Sequence, residues 1–116
     1  PFEQEGEFER LAEGLKTAHR RWPGGTYALW YPIKDFRAVE AFRGALRDSG
    51  IAKMLDIVLE IRQPSPQPRL DGCGMVVVNP PYVLEDELKR LLPVLHGVLA
   101  EDREAYTGAT WLTDGR

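Results

Sequence analysis

Residues 75–82 read MVVVNPPY, and the fold of the carboxyl-terminal half is organised around this stretch. The apolar run at 73–78 predicts a buried strand, and two prolines end it abruptly. Upstream, residues 53–61 predict another strand, separated from the first by a proline-rich loop at 64–68. That loop has no room for a crossover helix, so the two strands are predicted to be antiparallel neighbours.

The tetrapeptide Asn79-Pro80-Pro81-Tyr82 matches the Asn/Asp-Pro-Pro-aromatic signature of methyltransferases that modify exocyclic amino groups of bases. A side-chain oxygen and a carbonyl held rigid by prolines can accept hydrogen bonds from an adenine amine, and the aromatic ring can stack on a flipped base. A rigid strand-to-helix turn has the same sequence. That structural interpretation is favoured on the local pattern, because no strand is followed by a glycine-rich cofactor turn: Gly72-Cys73-Gly74 precedes its strand.

The remaining pattern predicts an α/β domain in which helices and strands alternate before the antiparallel pair. Alternation in residues 57–61 predicts that Ile57, Leu59 and Ile61 face one way and that the other face of this strand is wetter. Asp35 is the predicted cap of the second helix, and Pro93 is predicted to kink the third. The predicted elements are helix 3–22, strand 26–31 stopped by Pro32, helix 35–48, strands 53–61 and 73–78, helix 83–100 and strand 109–112.

Bulk properties limit the class of protein. The 116 residues carry a formal net charge of −3, which argues against a generally basic nucleic-acid coat. The single cysteine, Cys73, excludes an intrachain disulfide, and with no secretory signal or membrane-length apolar run the predicted compartment is the cytoplasm. His19, His96 and Cys73 have no partners at metal-ligand spacing, so no metal site is predicted.

Trp30 and Tyr31 end a predicted strand, the position where open α/β sheets bind ligands. Successive strand residues point to opposite faces, so at most one of the two rings faces a given cleft. A ligand contact and a place in the core under a flanking helix are equally compatible with this pattern.

Three separated segments carry a resemblance to a known family. They are GTYALWYP at 25–32, GMVVVNPPY at 74–82 and LPVLH at 92–96. In this order and spacing they resemble the bacterial large-subunit (23S) rRNA adenine-N6 methyltransferases, also described as proteins needed for using external DNA, over essentially the whole chain. The resemblance implies the carboxyl-terminal half of a class I S-adenosylmethionine-dependent (Rossmann-like) methyltransferase sheet: strands five, six and seven, with the seventh inserted between the other two.

The same resemblance implies the site residues. The chain opens Pro1-Phe2-Glu3, which matches the last three residues of the family's catalytic Asp-Pro-Pro-aromatic-Glu motif, with the Asp and the first Pro missing. Pro1, as the second proline, and Phe2 are therefore catalytic candidates, with Phe2 the ring that stacks on adenine. Tyr31, Asn79 and Tyr82 are candidate substrate-binding residues. The cofactor, S-adenosylmethionine, would be bound mainly by a preceding half with a glycine-rich motif and a helical insertion, and the partner would be ribosomal RNA.

On this interpretation residues 1–116 are the carboxyl-terminal part of one methyltransferase domain, inactive alone, which self-associates or pairs with the missing half. Two other hypotheses are a non-catalytic nucleic-acid-binding or competence protein that takes part in the use of external DNA, and a small domain that buries these strands against a partner. The acidic balance weighs against the nucleic-acid-binding hypothesis, because phosphate contacts supply most non-specific affinity.

Overall fold

The computed structural model describes residues 6–63, 69–102 and 105–114, arranged as three helices and four strands. The elements are α1 (Glu7–Arg21), β1 (Tyr27–Ile33), α2 (Phe36–Arg47), β2 (Met54–Glu60), β3 (Gly72–Val78), α3 (Leu84–Leu99) and β4 (Thr107–Thr113). This order confirms the α/β prediction. The Asp35 side chain accepts a hydrogen bond from the Arg37 amide at 3.0 Å, which confirms the predicted cap of α2.

Three strands are longer than their sequence patterns predict, β3 by one residue, Gly72. β1 does not stop at Pro32 but continues to Ile33, and a proline is tolerated there because β1 lies at the end of the described sheet. β4 extends the predicted 109–112 by residues on both sides. The predicted start of α1 at residue 3 lies outside the described residues. Within them, no helix has the length and apolar character needed to cross a bilayer.

The strands form one sheet in the order β1-β3-β2-β4, and every neighbouring pair is antiparallel. β3 therefore lies between β1 and β2, which run parallel to each other, as the insertion of a seventh strand between the fifth and sixth predicts. The register pairs Tyr27 of β1 and Met54 of β2 with the same residue, Val78. At the other end Gly72 lies opposite both Ile33 and Glu60.

The face of the sheet covered by α1 and α2, here called the inner face, carries the main core. α1 and α2 are amphipathic and direct their apolar stripes onto this face. The rings of Phe8, Tyr31 and Phe42 form a tilted cluster with centroids 4.9–6.3 Å apart. The buried residues of this core are Ala12, Leu15, Leu29, Tyr31, Ile33, Val39, Phe42, Leu46, Ile51, Met54, Val58, Val76 and Val78.

The prediction for the faces of β2 is wrong. Asp56 and Glu60, expected on the wetter face, are buried on the inner face, whereas Ile57 and Leu59 are only partly buried. The predicted alternation of the side chains is correct. Their polarity, however, led to the wrong choice of the strand face that lies towards solvent. Asp56 is tolerated inside because Tyr31 and Arg43 both donate hydrogen bonds to its carboxylate.

The opposite face, here called the outer face, carries α3 and a smaller core. Leu88 and Leu92 of α3 pack on Leu55 of β2, with Ile57 and Ala109 at the margin. Pro93 lies inside α3, as expected. Two contacts tie α3 to the β4 side of the sheet: the Trp111 indole N–H donates to Glu85 at 3.2 Å, and His96 Nε2 lies 2.8 Å from the Ala105 carbonyl.

Candidate functional site

The carboxyl ends of β1 and β2 meet at one edge of the sheet, here called the carboxyl-end edge. Both strands reach this edge opposite Gly72, where β3 begins. In open α/β sheets ligands bind outside the carboxyl ends of the parallel strands. Because β1 and β2 are parallel to each other, this edge is where a ligand site is expected.

A cavity of about 610 Å³ lies at this edge. Its walls are the first turn of α1, the residues that end and follow β1, and the alanine-rich flank of α2. Phe8, Pro32 and Phe42 give it apolar and aromatic surfaces, while Lys34 and Asp35 place one charge of each sign in its lining. The size and mixed lining suit a small organic group with a few polar atoms.

A buried carboxylate holds the loop after β2 against the end of β1. Asp71 is 1% exposed, and its Oδ1 accepts hydrogen bonds from Nε of Arg62 at 2.9 Å and Nε of Arg69 at 3.0 Å. Its amide donates to the Ile33 carbonyl, and its own carbonyl accepts from Ile61, both at 2.8 Å. The hydrogen bond to Asp71 raises the pKa of the Arg62 guanidinium. The cluster rigidifies the carboxyl-end edge next to the cavity.

Tyr31 lies in the core of the inner face and is fully buried. Its hydroxyl donates to Asp56 Oδ1 at 2.6 Å, and Arg43 Nε donates to Oδ2 of the same carboxylate at 3.0 Å. Burial and then the Asp56 charge raise the pKa of Tyr31, so the phenol stays protonated and donates. Burial lowers the pKa of Arg43, but Tyr31 and Asp56 raise it by more. Packing in the core and this hydrogen-bond network explain the presence of a tyrosine at position 31. The substrate role of Tyr31 stays a prediction.

Asn79 and Tyr82 lie at the opposite end of β3 from the carboxyl-end edge. Asn79 follows Val78, so six strand steps, about 20 Å, separate that end from Gly72. The Asn79 backbone is left-handed, with φ of 53°, and its side-chain amide donates to the carbonyls of Pro23 and Gly25 at 3.0 and 2.8 Å. These bonds make Asn79 the joint between the turn after α1 and the turn after β3.

Tyr82 follows this turn with 95% of its surface exposed. The structure therefore brings neither Asn79 nor Tyr82 to the cavity, and their substrate roles stay predictions. Pro1 and Phe2 lie outside the described residues, four or five positions before Gly6, which lines the cavity.

The glycines around Cys73 do not fit the cofactor. Gly72 and Gly74 belong to β3, where a Cβ on Gly72 would overlap the Leu59 backbone and a Cβ on Gly74 would overlap the Tyr31 ring. Both glycines are thus explained by packing within the sheet. Among the described residues, no glycine-rich turn follows a strand, so none of them is assigned to S-adenosylmethionine.

A family model described as "Ribosomal RNA large subunit methyltransferase D, RlmJ" matches residues 1–113. The chain belongs to this family. It is 32% identical over 113 residues to "Ribosomal RNA large subunit methyltransferase J" of Haemophilus influenzae, and 30% identical over 112 residues to the protein of that name from Escherichia coli. Each alignment covers 97% of this chain but 40% of the relative, so the chain spans two fifths of the length of these curated relatives.

The solved structure of protein LPL1258 from Legionella pneumophila shares the fold. It superposes with a TM-score of 0.82 at 24% identity, over 95% of this chain and 40% of that one. The family resemblance drawn from the three sequence segments is confirmed. The fold of the RlmJ-family chain is that of a partial Rossmann-like sheet.

Sequence reasoning missed the two buried polar clusters of this RlmJ-family chain. The signal for one was available: Asp56 interrupts an apolar strand and Arg43 lies beside the apolar stripe of α2, which together indicate a buried pair. The Asp71 cluster had no such signal. Its partners Arg62 and Arg69 lie in a polar loop, where arginine and aspartate are ordinarily solvated.

Proposed function

We propose that this chain is the carboxyl-terminal portion of an S-adenosylmethionine-dependent enzyme that methylates N6 of an adenine in large-subunit rRNA. The observation that carries the proposal is the family match over residues 1–113, which begins at the Pro1-Phe2-Glu3 motif. With ribosomal RNA as substrate, the proposed compartment is the cytoplasm.

The position of the cavity supports a site near the amino end of this chain. Gly6 lines the cavity, and Phe2 comes four positions before it in the sequence. Charges of both signs line the cavity, and Glu7 and Glu9 add negative charge at its α1 wall. Such a lining suits an uncharged base better than a phosphate, in agreement with an adenine that reaches this edge.

In the proposed mechanism this chain positions the base. Phe2 stacks on the flipped adenine, and Pro1 holds the adjoining backbone rigid, so that its carbonyl accepts a hydrogen bond from the amine. The Asp expected before Pro1 orients the amine from its other side. S-adenosylmethionine, assigned to the amino-terminal portion carried by the longer relatives, supplies the methyl group. Rate acceleration then comes mainly from positioning.

The test is methyl transfer to unmodified large-subunit rRNA by the full-length protein, with N6-methyladenosine measured by mass spectrometry. Phe2→Ala should lower kcat/KM by about 10- to 100-fold, the range expected from the loss of one base-stacking ring. Phe36→Ala is the matched control, because this phenylalanine is 54% exposed at the start of α2 and its loss should leave the rate near wild type.

Two further variants separate the two proline motifs. Replacing the Asp before Pro1 should abolish methylation, whereas Asn79→Ala should leave substantial activity in the folded fraction. We also expect residues 1–116 alone neither to bind the cofactor tightly nor to methylate RNA. Methyl transfer by that chain would contradict the assignment of the cofactor site. An intact protein that binds DNA with steep salt dependence, without cofactor, would favour the non-catalytic alternative.

A further inference from the structure

Two arginines bind the same buried carboxylate at the carboxyl-end edge, but their guanidinium groups are used differently. Arg62 donates to Asp71 through Nε, and its terminal nitrogens donate to a second carboxylate and to a backbone carbonyl at 2.9 and 2.6 Å. Arg69 also donates to Asp71 through Nε, at 3.0 Å, but its side chain is 54% exposed against 22% for Arg62. Arg62 is therefore a structural residue, whereas the exposed end of Arg69 is placed to bind a ligand.

The backbone fixes Arg69 beside the cavity. The Arg69 amide donates to the Lys34 carbonyl at 3.2 Å, and the Asp71 amide donates to the Ile33 carbonyl at 2.8 Å. Residues 69–71 therefore run along the end of β1, next to Lys34, which is exposed and lines the cavity. Because Asp71 is buried and holds the Nε edge of Arg69, the planar guanidinium group has a restricted orientation before any ligand binds.

Arg37 adds a third cation at this edge. It lies in the first turn of α2 and is exposed, and its amide is the donor that the Asp35 carboxylate caps. Asp35 is thus engaged at the start of the helix, and the cations outnumber it on this side of the cavity. The three cations are here called the basic rim (Lys34, Arg37 and Arg69).

The charges around the cavity are divided between its two sides. The α1 wall carries Glu7 and Glu9, and Glu7 is ion-paired with Arg10, whereas the side formed by the end of β1 and the start of α2 carries the basic rim. A nucleotide has the same division, since its base is uncharged and its phosphate is an anion. Phosphates require cations, and an arginine fork matches two phosphate oxygens. A base inside the cavity would therefore have its phosphates on the basic rim.

We propose that the basic rim binds the phosphates of the RNA strand that flank the adenine, and that Asp71 is a positioning residue that aims Arg69 at one of them. This rests on the proposed function, which places an adenine in the cavity. The RNA backbone then crosses the cavity on the side away from Glu7 and Glu9. A local group of cations is sufficient for such contacts, in agreement with a chain whose net charge is −3.

The test is binding of unmodified large-subunit rRNA to the full-length protein without cofactor, as salt is raised from about 50 to 200 mM. Arg69→Gln should weaken binding about tenfold, the effect expected when one hydrogen-bonded charge contact is lost. It should also lower the slope of log affinity against log salt by about 0.7–0.9, which corresponds to one phosphate. The variant should stay folded, because Arg62 still donates to Asp71.

Arg21→Gln is the matched control for Arg69→Gln. Arg21 is also an exposed arginine, but it ends α1, whose following turn is held by Asn79 at the opposite end of the sheet. Its loss should change neither the affinity nor the salt slope.

Two further variants separate the charge of Arg69 from its orientation. Arg69→Lys keeps the charge without the fork, so the salt slope should stay near wild type while the affinity falls about three- to tenfold. In a double-mutant cycle, Arg69→Gln should weaken binding less in an Asp71→Asn background than in the wild type. If Asp71→Asn does not fold, the contrast among Arg69→Gln, Arg69→Lys and Arg21→Gln still decides.

Equal effects of Arg69→Gln and Arg21→Gln on affinity and salt slope would overturn the proposal. So would an Arg69→Gln protein whose kcat falls while its KM for RNA is unchanged, since Arg69 would then not act by holding the strand. Methylation by the wild-type protein is measured separately. Methylation with RNA binding that does not depend on Arg69 rejects this inference alone, whereas Arg69-dependent RNA binding without methylation rejects the proposed function alone.

Discussion

The two faces of the sheet are built differently. Thirteen buried hydrophobic residues and two helices close the inner face, and its two buried carboxylates, Asp56 and Glu60, both accept hydrogen bonds. Four buried residues, Leu55, Val77, Leu88 and Leu92, and one helix close part of the outer face, and Trp30 and Met75 remain at its surface. The difference teaches that the inner face supplies most of the stability of this chain, while the outer face buries less apolar surface and leaves large side chains exposed.

Matched leucine truncations should show the largest contrast between the faces. Leu46→Ala removes a fully buried side chain from the inner core and should lower the free energy of unfolding by about 4 kcal/mol. Leu92→Ala removes the same atoms from the outer face and should cost about 2 kcal/mol, because the site is 7% exposed and open on one side. Urea denaturation measures both, and equal losses would contradict the asymmetry.

A glycine substitution tests how rigidly the inner face is packed. A Cβ at Gly74 would overlap the Tyr31 ring, which cannot move away without breaking its hydrogen bonds to Asp56 and Arg43. Gly74→Ala should therefore destabilise the chain by about 2–3 kcal/mol. Gly14→Ala is the control: its Cβ meets nothing within 4 Å in the middle of α1, so it should stabilise by about 0.5–1 kcal/mol. A mild effect at Gly74 would mean that the ring can be displaced.

The smallest expected effect is a pH dependence from the other inner-face carboxylate. Burial raises the pKa of Glu60 above its ordinary 4.5. Its contribution to stability is therefore present below pH 4.5 and lost as pH rises through the higher folded pKa. Glu60→Gln keeps an oxygen for the Tyr106 amide and should flatten stability between pH 4.5 and 7. A steeper pH profile in the variant would reverse the assigned sign.

The sequence predicts features that depend on short-range interactions better than features that depend on residues far apart in the chain. Helices and strands came from local patterns, because apolar spacing and turn residues act within a few positions. The prediction of which side of β2 faces solvent was wrong, because Asp56 is paired with residues 13 and 25 positions away, on α2 and β1. A local sequence pattern shows that burial alternates along a strand. It does not show which of the two faces is buried when a charged residue has distant partners.

The candidate site shows the same limit. Asn79-Pro80-Pro81-Tyr82 is the most specific local motif, yet β3 carries it to the end of the sheet away from the cavity. The edge that holds the cavity depends on Asp71, Arg62 and the end of β1, which meet only after the sheet has formed. Geometry of this kind follows from topology. The length of the loop predicted that β2 and β3 are antiparallel neighbours, whereas the place of β3 between β1 and β2 came from the family resemblance.

The central place of β3 also has a kinetic consequence. β1 is synthesised before β3, its partner in the described sheet, which comes about 50 residues later, since Tyr27 pairs with Val78. At the usual 5–20 residues per second, β1 waits about 3–10 s for that partner on the ribosome. Until then Trp30 and Tyr31 belong to an apolar strand that lacks its β3 partner, and such long-range pairing makes folding slow. β3, which pairs with both β1 and β2, thus also determines how long the nascent chain is most prone to aggregate.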